Sequence, residues 1–162
     1  MSEIFQKAQT AELALESLTN EEYNGLLPFI EEIKAVQRQI DALLIQFDVA
    51  DKCKNCLIGC CTPGIEEFLT EYYFFFLFYQ LSEEAKYDIW RILQKNNSTE
   101  FCRFLAKNGC IIPTDARPYV CKSFLCRRFG PVQKLGDAYN EKFDNAIYNF
   151  EMKLSGMGYR LF

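Results

Sequence analysis

Residues Cys53–Cys61 read CKNCLIGCC, four cysteines in nine positions with the last two adjacent. Four more follow at Cys102, Cys110, Cys121 and Cys126, and the 88 residues outside positions 53–126 contain none. Gly59, Pro63 and Gly64 punctuate the first block, and Gly109, Pro113 and Pro118 the second, so both read as irregular backbone. The fold must therefore be helices or strands packed around an irregular, thiol-rich centre.

On both sides of that centre the periodicity is helical. Ile4, Phe5, Ala8, Ala11, Leu15 and Leu18 predict a first helix over residues 3–18. Thr19 followed by Glu22 is a capping-box signature for a second start. Gly25 and Pro28 interrupt that segment, and Pro28 suits the first turn of a longer helix. Its stripe of Phe29, Ile30, Ile33, Val36, Ile40, Leu43, Leu44 and Phe47 runs to about Val49, facing either the rest of the domain or a partner. After the first block a helix is expected from about Ile65 to Gln80, with Glu66 and Glu67 at its N-terminal dipole. Its aromatics, YYFFFLFY at Tyr72–Tyr79, fall on nearly all sides and predict burial. Ser82 caps a further helix carrying Ile89, Trp90 and Leu93. Tyr139, Phe143, Ile147, Phe150 and Leu154 mark a C-terminal helix that Gly156 ends. With no convincing alternating strand, the expected fold is all-α, with helices flanking an irregular cysteine-rich metal-binding centre. One domain spans residues 1–162: an N-terminal helical region (1–50), the cysteine-rich core with its aromatic helices (51–130) and a C-terminal helix (131–162).

Composition narrows the function. The chain has 162 residues, 49% of them hydrophobic, and a formal net charge of -4. It lacks the basic stripe that binding to nucleic-acid phosphates requires. The eight-residue aromatic run is too short to span a bilayer, which takes roughly 20 residues as a helix. The N-terminus has acidic residues and no apolar h-region, which is read as a cytoplasmic protein. In a reducing cytosol, clustered thiols read as metal ligands, although an even count also suits four disulfides.

Thiolates select zinc, cuprous copper or iron–sulfur clusters. A Cys-x-x-Cys such as Cys53 and Cys56 lets two sulfurs from one short loop reach a single centre. Adjacent Cys60 and Cys61 point different ways, so they serve different centres or one has another task. Cys102, Cys110, Cys121 and Cys126 complete a set able to hold two four-sulfur centres with ligands from both blocks. Cys60 and Cys102 are the first candidates for plain buried residues. The chain has no histidine, which excludes mixed Cys/His zinc sites, Rieske ligation and a Cys/His catalytic pair. Lys52, Lys54, Arg103, Arg117, Lys122, Arg127 and Arg128 lie in or beside the blocks, to offset thiolate charge or to form a solvated basic surface. Asp115 and Arg117 are candidates for a role near the metal. SGMGYR at Ser155–Arg160 follows a helix and lacks the glycine pattern of a dinucleotide loop.

CKNCLIGCC has the Cys-x-x-Cys-x-x-x-Cys-Cys form of the YkgJ family, described as zinc- or iron-chelating domain proteins, and the later block is similar in the same order. CRFL at Cys102–Leu105 resembles a Cys-x-Phe-Leu element, GCII at Gly109–Ile112 loosely a Gly-x-Cys-x-Ile-Tyr element, and RPYVCKSFLC at Arg117–Cys126 an Arg-Pro-x-x-Cys-x-x-Phe-x-Cys element. The resemblance covers residues 53–126 and all eight cysteines. Ile112 stands where a tyrosine is expected, and the stretch from Cys110 to Arg117 is one residue longer. The resemblance implies metal chelation by Cys53, Cys56, Cys60, Cys61, Cys102, Cys110, Cys121 and Cys126, with Arg117 nearby. A related cysteine pattern in flagellin lysine methylases looks like an iron–sulfur site, but nothing else here reads as a methyltransferase.

The expected cofactor is one or two iron–sulfur clusters of the 4Fe–4S type, with Zn2+ as the alternative. The expected role is electron transfer, or delivery of a cluster or metal to a protein partner. That partner, or a second copy of the chain, would dock on the flanking amphipathic helices, without nucleic acid and without a membrane span. The rival reading is a structural zinc module that binds another protein through its helices. A cluster-dependent enzyme, with one cysteine spare and an open iron position, is a third.

Overall fold

Thr19 starts the second helix as its sequence predicts. Its hydroxyl accepts from the Glu22 N–H at 3.2 Å, and the Glu22 carboxylate accepts from the Thr19 N–H at 2.8 Å. The capping box thus satisfies donors that a helix start leaves unpaired. In the computed structural model, which describes residues 2–48, 63–95, 101–106, 109–118, 120–121 and 130–159, five α-helices form around one core. They are α1 (Glu3–Glu16), α2 (Asn20–Gln46), α3 (Glu71–Gln80), α4 (Glu83–Leu93) and α5 (Gly130–Gly156). Two 3₁₀ turns, Pro63–Phe68 and Thr114–Ala116, and a two-residue antiparallel ladder, Leu105–Ala106 against Gly109–Cys110 (β1 and β2), complete the described residues.

The all-helical expectation holds, with three changes of boundary. α2 runs unbroken through Pro28 rather than starting there. An internal proline removes one backbone hydrogen bond and costs about 3 kcal/mol. Leu26 before it and Ile30 and Ile33 after it are buried on one stripe against α5, and their burial offsets that loss. The stripe is thus used within the chain. α2 ends at Gln46, where Asp48 takes a left-handed φ of 53°.

The helix expected over residues 65–80 divides in two. A 3₁₀ turn ends at Phe68, and α3 begins anew behind Thr70, whose hydroxyl accepts from the Tyr73 N–H at 3.2 Å. At the other end of the chain, α5 starts at Gly130 and its stop glycine is Gly158 rather than Gly156. Gly158 has φ 90°, its N–H donates to Ser155 O at 3.0 Å, and the Tyr159 N–H donates to Leu154 O at 3.0 Å. This pair of bonds is the Schellman pattern, which requires a left-handed residue at that position.

α3 is the centre of the core. Phe74, Phe75, Phe76, Leu77, Phe78 and Tyr79 are all buried, as aromatics on every side of a helix demand. Phe75 and Phe76 meet Phe150 of α5, at ring centroids 5.9 and 6.5 Å apart. Phe78 lies 5.6 Å from Trp90 of α4, which in turn takes Phe5 of α1 edge-on at 5.1 Å. Ala8 and Ala11 give α1 a smooth face where it packs along α3. Ser82 caps α4 as predicted, its hydroxyl accepting from the Ala85 N–H at 3.3 Å. With α3 fixed on all sides, its first turn becomes a rigid platform for the second cysteine block.

Candidate metal centre

Cys102, Cys110 and Cys121 fall within the described residues, while Cys53, Cys56, Cys60, Cys61 and Cys126 lie outside them. Lys52, Lys54, Lys122, Arg127 and Arg128 lie outside them too. Among the described residues, no group of three or more cysteines and carboxylates stands close enough to hold a metal ion.

The second block is built from short local turns. The Leu105 N–H donates to Cys102 O at 3.0 Å, the ladder sets Cys110 opposite Leu105, and the Ile111 N–H donates to Phe104 O at 2.9 Å. Cys102 and Cys110 thus belong to one small hairpin anchored by the buried Phe104 and Ile112. Past the Thr114–Ala116 turn, the Cys121 N–H donates to Pro118 O at 3.0 Å. Cys102 and Cys110 are half-buried and Cys121 is exposed.

Tyr73 lies in the first turn of α3. Its hydroxyl donates to Ala116 O at 3.1 Å. Burial pushes its ionisation well above the ordinary tyrosine range. Negative charge on Cys121, Cys110 and Cys102 adds to that shift, and the Arg117 guanidinium opposes it. The phenol therefore remains a neutral donor to Ala116 O. From α2, the buried Gln37 donates through Nε2 to Arg117 O at 2.8 Å. Its Oε1 is buried with no hydrogen-bond partner among the described residues. The Arg117 Nε donates to Ile112 O at 3.0 Å, bracing its own loop.

Arg103 is not part of a solvated surface. Its backbone N–H and its Nε donate to the two oxygens of Glu66, at 2.8 and 2.7 Å, and its Nη1 reaches Leu93 O at 3.4 Å. Both side chains are about 10% exposed. Glu66, in the first turn of the 3₁₀ element, is thus also the partner of Arg103. The pairing ties the 3₁₀ turn that follows the first block to the residue after Cys102. Tyr73, Gln37 and Glu66 were not singled out as site residues by the sequence. Their partners lie 43, 80 and 37 residues away, beyond any local pattern.

Among the described residues, no helix is long and apolar enough to cross a membrane. No family model, curated protein or solved structure matches the chain.

Proposed function

We propose that the chain is a cysteine-ligated metalloprotein whose two blocks contribute to shared centres. The observation that carries this reading is the build of the second block, in which Cys102 and Cys110 share one small hairpin and Cys121 follows the next turn, in a chain whose other five cysteines occupy the same 74-residue window. The Glu66–Arg103 pair supports a shared site, because Glu66 stands only five positions after Cys61, at most about 18 Å of extended chain. The donor set is thiolate without imidazole, which suits iron–sulfur clusters or closed zinc sites. The resemblance to the YkgJ family belongs to the same reading.

Of the two, we favour iron–sulfur. The support is the aromatic-rich core against which Cys102 and Cys110 pack, which would shield a cluster from water, and the Arg117 guanidinium in the loop between Cys110 and Cys121. The protein would then move electrons, or hand a cluster or metal to a protein partner. Because the α2 stripe is used internally, that partner would meet outward residues such as Ile45, Tyr148 and Met152. The test is the visible spectrum of protein purified without air. A broad charge-transfer band that bleaches with dithionite supports the cluster. A colourless protein with bound zinc makes the centre structural, and unfolding by chelators would follow.

A further inference from the structure

The loop from Cys110 to Cys121 is held from outside by two helices, and each grips it at one peptide group. Tyr73 of α3 donates to Ala116 O, and Gln37 of α2 donates to Arg117 O. These neighbouring carbonyls lie midway between the two cysteines. We infer that Gln37 and Tyr73 are positioning residues for a metal on Cys110 and Cys121, fixing the spacing of those two sulfurs through the Ala116–Arg117 carbonyls. The inference rests on the metal reading above.

Two observations argue against a merely structural role. Gln37 is 1% exposed, yet its Oε1 has no partner among the described residues. An unpartnered buried oxygen costs about 1–3 kcal/mol, so an apolar side chain of this size would serve stability as well or better. What the amide supplies is its donor, aimed at Arg117 O. Tyr73 packs its ring against the apolar core, a role phenylalanine would fill as well, and its hydroxyl donates to Ala116 O. Meanwhile the loop braces itself through Arg117 Nε and Ile112 O, which makes it a stiff unit that two outside contacts can orient. Groups of this kind, one step removed from the metal, set ligand geometry and with it affinity.

The test is an anaerobic Co2+ titration of the full chain stripped of its own metal by a chelator, with Tyr73→Phe, Gln37→Met and Tyr79→Phe as variants. Cobalt bound by thiolates shows sulfur-to-metal charge-transfer and d–d bands whose intensities report ligand geometry. Tyr79→Phe is the matched control. It removes a hydroxyl from the same helix, one that donates to Tyr23 O at 2.7 Å, away from the cysteines. Tyr73→Phe and Gln37→Met are expected to weaken Co2+ binding on the order of tenfold and to change the d–d bands. Tyr79→Phe is expected to lower thermal stability while leaving affinity and spectrum as in the wild type. Wild-type affinity and bands in both Tyr73→Phe and Gln37→Met would overturn the inference while leaving the metal reading intact. A wild type that binds no Co2+ would overturn the metal reading and this inference together.

Discussion

Glu66 holds Arg103 by two bonds at once, one to the backbone N–H at 2.8 Å and one to Nε at 2.7 Å. The pair couples a 3₁₀ turn to the hairpin that carries Cys102 and Cys110, across 37 residues of sequence. A buried ion pair is weak evidence of net stabilisation, but breaking one from a single side is costly because the other charge is left behind.

Glu66→Gln is therefore expected to destabilise the fold by about 3 kcal/mol, read from urea denaturation at neutral pH. Glu66→Leu combined with Arg103→Met should recover much of that loss, since no charge then remains buried. Equal losses in the single and double variants would show that the charge is not what matters.

Trp90 donates from Nε1 to Glu12 Oε1 at 2.9 Å and carries Phe5 on its edge, so α1 is latched to α4 by a charge-assisted bond. Glu12→Ala should cost roughly 1.5 kcal/mol. It should also change the emission of Trp90, the sole tryptophan. An unchanged emission spectrum would contradict the latch.

Tyr23 and Tyr79 each donate to the other's backbone carbonyl, at 3.2 and 2.7 Å, with rings stacked 4.2 Å apart. Burial, with Tyr23 alongside, pushes the Tyr79 phenol from 10.0 up to about 12. A raised pKa means the folded state holds this proton more tightly than the unfolded chain does. The stabilisation is complete below about pH 10 and is lost as pH rises toward 12, with the half-buried Tyr73 adding in the same direction. Denaturation midpoints at about pH 9 and about pH 11.5 check this. Tyr79→Phe should make the fall shallower, and an unaltered fall would remove Tyr79 from the account.

Gly158 and Gly156 make a paired test of the C-terminal stop. Gly158→Ala forces a side chain into φ 90° and should cost about 1–2 kcal/mol. Gly156→Ala lies in the helix, with nothing within 4 Å of an added Cβ, and should be neutral or stabilising by up to about 1 kcal/mol. Thermal denaturation of both variants distinguishes them, and the reverse order would reassign the stop.

What the sequence discloses here follows the range of each interaction. The caps at Thr19 and Ser82, the burial of the Phe74–Tyr79 run and the α5 stripe are local patterns, and each is legible from neighbouring residues. Pro28 misleads because its local cost is outweighed by packing against α5, which the sequence does not display. Gly156 misleads because two glycines stand two residues apart, and only the left-handed φ at Gly158 tells them apart. The early part of α5 is hidden by Gly130, Pro131 and Gly136, poor helix formers, although Pro131 suits a first turn. At the candidate site, residue type revealed the thiols. Gln37, Tyr73 and Glu66 became visible only when the chain folded back on itself. Cys53, Cys56, Cys60, Cys61 and Cys126 lie outside the described residues, so their grouping is a matter for chemistry.

The most direct test is elemental analysis for iron and zinc, with acid-labile sulfide, on protein purified without air. Stoichiometric metal is expected, as iron with sulfide for clusters, together with its loss when Cys110 or Cys121 is replaced by serine. A fully folded chain with no bound iron, zinc or sulfide would contradict the metal reading.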